Sequence, residues 1–153
     1  MNTRKPTVEA INIDNNKPVY TLGVAAQLSE TPAHSIRQYI DMGLLIPYKL
    51  ESKRHLFSLN DIDRLKQIRS LIRDKGLNFS GVRALMAMIP CWAIRECSEE
   101  DRSSCGAYRD NFQPCWEASE KGRLCKNANC RECEVYHSLD LDSGIKSTLK
   151  KLL

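Results

Sequence analysis

Thr31-Pro32-Ala33-His34-Ser35-Ile36-Arg37-Gln38-Tyr39-Ile40-Asp41-Met42-Gly43 carries its own start and stop signals. Thr31 can accept hydrogen bonds from the orphan amides of a first helical turn, and Pro32 suits the first helical position because its missing N–H is not needed there. Gly43 fits the left-handed residue that closes many helices. Between these ends Ile36 and Ile40 lie one turn apart, flanked by Ala33 and Met42, which makes a narrow apolar stripe. His34, Ser35, Arg37, Gln38 and Tyr39 fall largely away from it. A short helix whose outer face offers imidazole, hydroxyl, guanidinium, amide and phenol groups is equipped to meet a polyanion with hydrogen-bonding edges. The same residues also describe an ordinary solvated face. The neighbours decide between the two.

Upstream, Thr21 can cap a short helix in which Leu22, Ala25 and Leu28 share a face, and Ser29-Glu30 make a tight connection into Thr31. Two short helices so joined form a helix-turn-helix, whose second helix conventionally enters the major groove. Downstream of Gly43 the pattern turns extended. Leu44-Leu45-Ile46-Pro47 predicts one strand and His55-Leu56-Phe57-Ser58 a second. Between them Lys49, Glu51, Ser52, Lys53 and Arg54 make a polar hairpin, a candidate wing against a sugar-phosphate backbone. Ser58-x-x-Asp61 has the form of a capping box. The helix it opens runs to about Lys75, with Ile62, Leu65, Ile68, Leu71 and Ile72 inward and Arg64, Lys66, Arg69, Arg73 and Lys75 on a solvated face. Gly76 ends it. Asn78 or Ser80 caps a further helix with Val82, Leu85, Met86 and Ile89 inward, stopped by Pro90.

The chain of 153 residues, 42% hydrophobic and 27% charged, has room for one ordinary domain, or a small domain plus a metal- or disulfide-supported module. No apolar run approaches the ~20 residues of a membrane span. Met1 to Pro6 lacks the apolar core of a secretory signal, so a cytoplasmic location is expected. Residues 1–17 read as a flexible tail, with Arg4 and Lys5 near a phosphate backbone. Charge is unevenly spread. Residues 20–90 hold ten Lys/Arg against six Asp/Glu, whereas residues 91–137 hold seven against nine. A basic front half followed by a mildly acidic, cysteine-loaded half implies two tasks, the first the better nucleic-acid surface.

Tyr20-Thr-Leu-Gly-Val-Ala-Ala-Gln-Leu, Ser35-Ile-Arg-Gln-Tyr, Gly43-Leu-Leu, Leu56-Phe-Ser and Asp61-Ile-Asp-Arg-Leu together resemble the DNA-binding domain of the mercury-resistance-regulator (MerR) family. Arg37-Gln38-Tyr39 and Gly76-Leu-Asn78-Phe-Ser-Gly81-Val-Arg83 are most similar to its heat-shock-repressor branch. The resemblance covers roughly residues 18–89. It implies a winged helix-turn-helix that binds double-stranded promoter DNA, usually as a homodimer on an inverted repeat, with RNA polymerase a further partner. By position, Arg37 and Tyr39 would hold phosphates, while His34, Ser35 and Gln38 face bases or backbone. Tyr20 and Thr21 at the head of the first helix belong to the same DNA-facing set. So do Lys53, Arg54 and His55 in the wing; Arg54 and His55 replace the family's usual aromatic–Arg pair, and Lys53 stands where a turn glycine is common. Typical members continue into a long dimerisation helix, which Ile89-Pro90-Cys91-Trp92 interrupts here.

All seven cysteines, Cys91, Cys97, Cys105, Cys115, Cys125, Cys130 and Cys133, fall within residues 91–133. Such clustering in a reducing compartment favours metal ligation or redox chemistry, and an odd count does not suit a fully paired disulfide framework. Pro90-Cys91-Trp92 recurs as Pro114-Cys115-Trp116, and Cys105-x2-Tyr108 as Cys133-x2-Tyr136, which predicts two facing half-modules under an aromatic wall. Aliphatic residues are few here, so a bound centre would supply what a core cannot. Cys130-x2-Cys133 forms half of a zinc site, with Cys125 and His137 available to complete it. Cys125-x4-Cys130-x2-Cys133 equally matches the three-ligand run of plant-type iron–sulfur proteins, with an upstream cysteine as the fourth ligand. The resemblance adds precedent for metal-sensing and iron–sulfur redox-sensing members with ligands after the DNA-binding domain.

The expected fold is mainly α. A winged helix-turn-helix domain spans 18–90 and a small cysteine-rich, metal-supported module spans 91–137. Residues 138–153 form a tail or short helix, with Ile145, Leu149, Leu152 and Leu153 as its apolar side. The expected function is a DNA-binding transcription regulator that senses redox or metal state through an iron–sulfur cluster, with zinc the next choice. No acid–base or nucleophile constellation outside the cysteines points to an enzyme. The rival readings are an electron-transfer or metal-storage protein with an adaptor domain, and a constitutive DNA-binding protein with structural zinc.

Overall fold

The computed structural model describes residues 14–138 and 140–153. Arg4 and Lys5, and most of the expected tail, lie outside the described residues. The end of that segment is not loose. Asn15 offers its carbonyl to the Asn60 amide at 3.1 Å, and the Asn60 side chain bonds that of Asn16. The helix beginning at Leu59 has first-turn amides with no partner of their own, and Asp14–Lys17 supplies one.

The architecture is mainly helical. Helix α1 (Leu22–Ser29) starts on Thr21, whose hydroxyl accepts from the Val24 amide at 3.4 Å. Ala25 is its buried anchor, but Leu28 points to solvent. Ser29 takes the inward place expected for Leu28, its hydroxyl donating to the Ala25 carbonyl at 2.6 Å. Helix α2 (Ala33–Asp41) also begins differently from expectation. The Pro32 carbonyl accepts from Ser35 and Ile36 at 2.9 and 3.1 Å, while Thr31 does not cap. The turn is so tight that Thr31 is buried in its corner, where its hydroxyl must find an acceptor and takes the Ser29 carbonyl at 3.2 Å. The far end matches expectation. Gly43 has φ +74°, its amide bonds the Ile40 carbonyl at 3.0 Å, and Leu44 N–H reaches the Tyr39 carbonyl at 2.9 Å. That pair of bonds is a Schellman closure.

Leu44–Pro47 is not a strand. Leu44 and Leu45 are fully buried, and the segment is a connector between α2 and the wing. Strand β1 comes later, at Tyr48–Lys49, and pairs antiparallel with β2 (His55–Leu56), Tyr48 opposite Leu56. At the tip Lys53 takes φ +65°, the left-handed geometry a glycine would adopt freely. Tyr20 and Phe57 exchange backbone bonds of 2.9 and 2.8 Å, tying the head of α1 to the base of the wing.

Helix α3 (Leu59–Arg73) opens on the expected capping box: Ser58 accepts from the Asp61 amide at 3.1 Å and donates its own amide to the Asp61 carboxylate at 2.8 Å. Helix α4 (Phe79–Ala87) is capped by Asn78. Ile62, Leu65, Ile68, Val82 and Met86 from these helices, with Ile89 just beyond α4, build the core under α1 and α2. Arg64, expected on the solvated face of α3, is buried instead.

Beyond Pro90 come α5 (Cys91–Arg95), α6 (Glu99–Ser103), α7 (Gly106–Arg109), 3-10 turns at Cys115–Glu117 and Cys130–Glu132, α8 (Glu134–His137) and α9 (Gly144–Leu152). Helices of four or five residues are unstable alone. Here they dock. Trp116, Val135, Tyr136, Leu141 and Ile145 join the same hydrophobic cluster as Leu44, Leu45 and Leu65, so one core runs through both halves. No helix among the described residues is long and apolar enough to cross a membrane.

Candidate functional site

The head of α1, one side of α2 and the wing enclose an open groove of about 600 Å³. Thr21, Arg37, Lys53, Arg54 and His55 all line it, with Asp41 the acidic member of the wall. His34 and Gln38 are exposed on α2 outside the groove lining, Ser35 is half-buried, and Tyr20 sits at the base against Phe57. Three cations spread over two elements suit a phosphate backbone, and the exposed amide and imidazole beside them suit base edges. Tyr39 does not belong to this face. It is 5% exposed and meets Phe79 edge-on, ring centroids 6.0 Å apart. Lying three residues after Ile36, it falls on the buried stripe. Burial holds its phenol above the usual tyrosine range, with Arg69 and Arg73 pulling the other way.

The second constellation is the cysteine region. Cys91, Cys97, Cys105, Cys115, Cys125 and Cys130 line one enclosed, almost wholly apolar cavity of about 50 Å³. Cys133 lies beside it, its sulfur accepting from Arg95 Nη1 at 3.7 Å, and Lys121 Nζ donates to Cys130 Sγ at 3.4 Å. All seven thiols are free. The Cys115 thiol donates to Cys91, which lowers Cys91 to about 7 and, with burial, pushes Cys115 up. Arg102 sits near Cys91, and its buried Nε has no hydrogen-bond partner.

Among the described residues no three His, Cys, Asp or Glu side chains converge closely enough to hold a single metal ion. The thiols ring a volume rather than a point. His137 is exposed and meets Tyr136 edge-on, away from the cavity lining. The sequence echo has a structural counterpart in two edge-on aromatic pairs. Trp92 meets Tyr108 at 5.3 Å and 87°, and Trp116 meets Tyr136 at 5.1 Å and 80°. The halves touch through close backbone approach at Gly106, whose amide bonds the Glu120 carbonyl at 2.6 Å and where a Cβ would meet the same oxygen at 2.7 Å.

Residues 20–89 match the MerR HTH family of regulatory proteins. Residues 20–89 are a MerR-family helix-turn-helix domain. The HTH-type transcriptional regulator GlnR of Bacillus anthracis, and that of Bacillus cereus, are each 35% identical over 71 residues, covering 46% of this chain and 54% of the relative. The HspR protein of Streptomyces coelicolor, named for heat shock, is 33% identical over 76 residues, half of each chain. The chain thus spans about half the length of the curated relatives it matches. The match to the family ends at residue 89, just before the first cysteine.

What joins the MerR-family domain to the cysteine region is the connector Gly43–Ile46. Trp116 Nε1 donates to the Gly43 carbonyl at 2.7 Å. Arg64 Nε donates to the Leu44 carbonyl at 3.1 Å, and its Nη1 to the Tyr136 carbonyl at 2.9 Å. The Ile46 amide donates to the Tyr136 hydroxyl at 2.9 Å, and the Ile46 carbonyl accepts from Arg131. Arg131 also grips both oxygens of the capping-box carboxylate Asp61, at 3.0 and 2.7 Å. The Arg64 guanidinium lies 3.9 Å from the centre of the Tyr136 ring and 5.2 Å from that of Trp116. Burial lowers its pKa, while Tyr136 and Asp61 act in the opposite direction. Sequence reading missed that Arg64 and Arg131 join the two halves, and placed Trp116 and Tyr136 only in an aromatic wall over the cysteines. Trp116 follows Cys115, and Arg131 stands between Cys130 and Cys133, which was the available signal.

Proposed function

We propose that the chain is a transcription regulator that binds promoter DNA as a homodimer, and that its cysteine region holds an iron–sulfur cluster, ahead of zinc, whose state is felt at the DNA face. The observation that carries this reading is the clamp on Gly43–Ile46. Those residues lead from the end of α2 into the wing, so anything that moves Trp116, Arg131 or Tyr136 re-aims two DNA-facing elements against each other. Trp116 and Arg131 each adjoin a cysteine in sequence, which makes the lever arm one residue long.

The donor set fits such a group. Arg95 and Lys121 line the cavity and Arg102 sits near Cys91, and a buried guanidinium nitrogen without an acceptor is costly. Thiolates around a centre of net negative charge would offset Arg95, Arg102 and Lys121 together. Thiols spaced around a cavity suit a polynuclear centre better than one tetrahedral ion. When bound, an iron–sulfur cluster supplies one-electron redox chemistry. The chain's own residues would hold it through thiolates, donate to two sulfurs from Arg95 and Lys121, and limit water with Tyr108, backed by Trp92.

At the DNA face, Arg37, Lys53 and Arg54 would neutralise phosphates, while Gln38 and His34 meet base edges. The test uses a duplex selected from a random-sequence library by the full-length protein. Affinity should fall steeply with salt, and Arg37→Ala should weaken it at least tenfold with unchanged metal content. Undiminished affinity of that variant would overturn the DNA-binding assignment. One observation favours a second reading, structural zinc in a constitutive DNA-binding protein: the two halves share a single core. Stoichiometric zinc without acid-labile sulfide in anaerobically purified protein would establish it.

A further inference from the structure

We propose that the face formed by Met88, Trp92, Tyr108 and Phe112 is where a second copy of this chain docks, each copy's Phe112 entering the other's groove. The inference rests on the homodimer reading and names a surface for it. Among the described residues the helices after α4 are nine residues long at most, too short for the sustained heptads of a coiled coil. A dimer therefore needs another apolar surface. These four side chains supply one. Phe112 is 78% exposed and Met88 59%, while Trp92 and Tyr108, also exposed, meet edge-on.

The face carries a knob and a hole side by side. The hole is an open groove of about 230 Å³, lined by Met88, Ile89, Trp92, Tyr108 and Asn111 among others. An apolar cavity of about 150 Å³ accepts benzene, so the groove has room for a phenyl ring. The knob is Phe112, next in sequence to Asn111 at the groove's edge. Its turn is pinned. The Asp110 carboxylate accepts from the Phe112 and Gln113 amides at 2.8 and 3.2 Å and from Gln113 Nε2 at 2.6 Å. Arg83 of α4 donates to Gln113 Oε1 at 3.2 Å. An exposed aromatic already held in place loses little freedom on contact, which suits a binding anchor. A knob and a hole on one face let two copies close on each other about a two-fold axis, residue i meeting j and j meeting i. Charge agrees with a second copy as the occupant. Of the described residues lining the groove Asp110 alone is charged, and Arg109 sits beside it, so neither sign dominates as it does in the DNA-facing groove. At ~200 Å² for a whole aromatic side chain, the exposed parts of the four residues come to roughly 450 Å² per copy. Two copies would bury roughly 900 Å², near the ~1,000 Å² that marks a specific interface. Because Arg83 ties the knob to α4, the contact would also fix how far apart the two DNA faces stand.

The experiment is sedimentation of the full-length protein, free and on the selected duplex, joined to photo-cross-linking. Phe112→Asp and Met88→Glu should each raise the dimer dissociation constant at least tenfold, with an unchanged far-ultraviolet circular dichroism spectrum. Cross-linking keeps the test decisive should either variant misfold. Photoreactive benzoylphenylalanine replaces Phe112 in a mixture of isotope-labelled and unlabelled copies, and mixed-isotope cross-links should land in residues 86–92 or 107–111 of the other copy. Mixed-isotope cross-links that land elsewhere, or a folded Phe112→Asp variant that dimerises as tightly as the wild type, overturn the proposed surface and leave the homodimer reading standing. A wild type that sediments as a monomer both free and on the duplex overturns the homodimer reading and the surface with it.

Discussion

At the scale of single residues, the interface depends on groups that cannot be removed singly without leaving another group unpaired. Arg131 and Asp61 form a two-pronged ion pair from which solvent is nearly excluded. Such pairs add little over an apolar pair, but deleting one partner strands the other charge. Arg131→Met should therefore cost about 3–5 kcal/mol, read as a lower urea midpoint. Gly43 faces two constraints, the left-handed φ and the Glu117 side chain, which a Cβ would approach to 2.3 Å. Gly43→Ala should cost at least about 1 kcal/mol from the backbone alone. Adding Glu117→Ala should recover the steric part and leave the backbone part, a non-additivity that a double-mutant cycle measures. Lys53 tests the reverse case. Replacing it by Gly relieves roughly 1–2 kcal/mol of left-handed strain against roughly 0.5–1 of lost chain stiffness. Lys53→Gly should thus be slightly more stable in thermal melts, yet bind DNA more weakly, with the salt slope smaller by about one if Lys53 meets a phosphate.

At the scale of elements, local signals and non-local ones part company. The Gly43 closure, the Ser58–Asp61 box and the Asn78 cap are set by neighbours within a few residues, and all were legible in the chain. The groove made by α1, α2 and the wing brings together Arg37, Arg54 and His55, which the family resemblance had grouped on one face. Tyr39 was misread although its spacing from Ile36 put it on the buried stripe; its polar tip outweighed its position. Arg64 could not have been read this way. Its burial is decided by Tyr136 and Trp116, far along the chain, and periodicity within α3 carries no trace of them. The first strand was misplaced for a similar reason. Leu44–Ile46 looks like a strand because it is apolar, but the Leu44 carbonyl and both Ile46 backbone groups are taken by Arg64, Tyr136 and Arg131 instead of a neighbouring strand. In the cysteine region the aromatic echo was legible. The choice among thiols was not, since spacing leaves open which of them meet around one cavity.

At the scale of the whole molecule, the two halves act as one body because they share a core and because side chains of the cysteine region bond the Gly43 carbonyl and both backbone groups of Ile46. A truncation after Pro90 should expose Leu44 and Leu45 and leave Arg64 and Asp61 without their partners, so residues 14–90 alone should unfold at lower urea than the full chain. The same continuity gives the account its central claim: the cysteine centre and the DNA face are energetically linked, and a linkage must appear as a difference in affinity. The direct measurement is the dissociation constant for the selected duplex of the anaerobically loaded protein and of the same preparation stripped of metal, at one fixed salt concentration. The account predicts constants that differ at least fivefold, the lower end of typical coupling energies, and a difference that vanishes in Arg131→Met. Equal constants for loaded and stripped protein would contradict it.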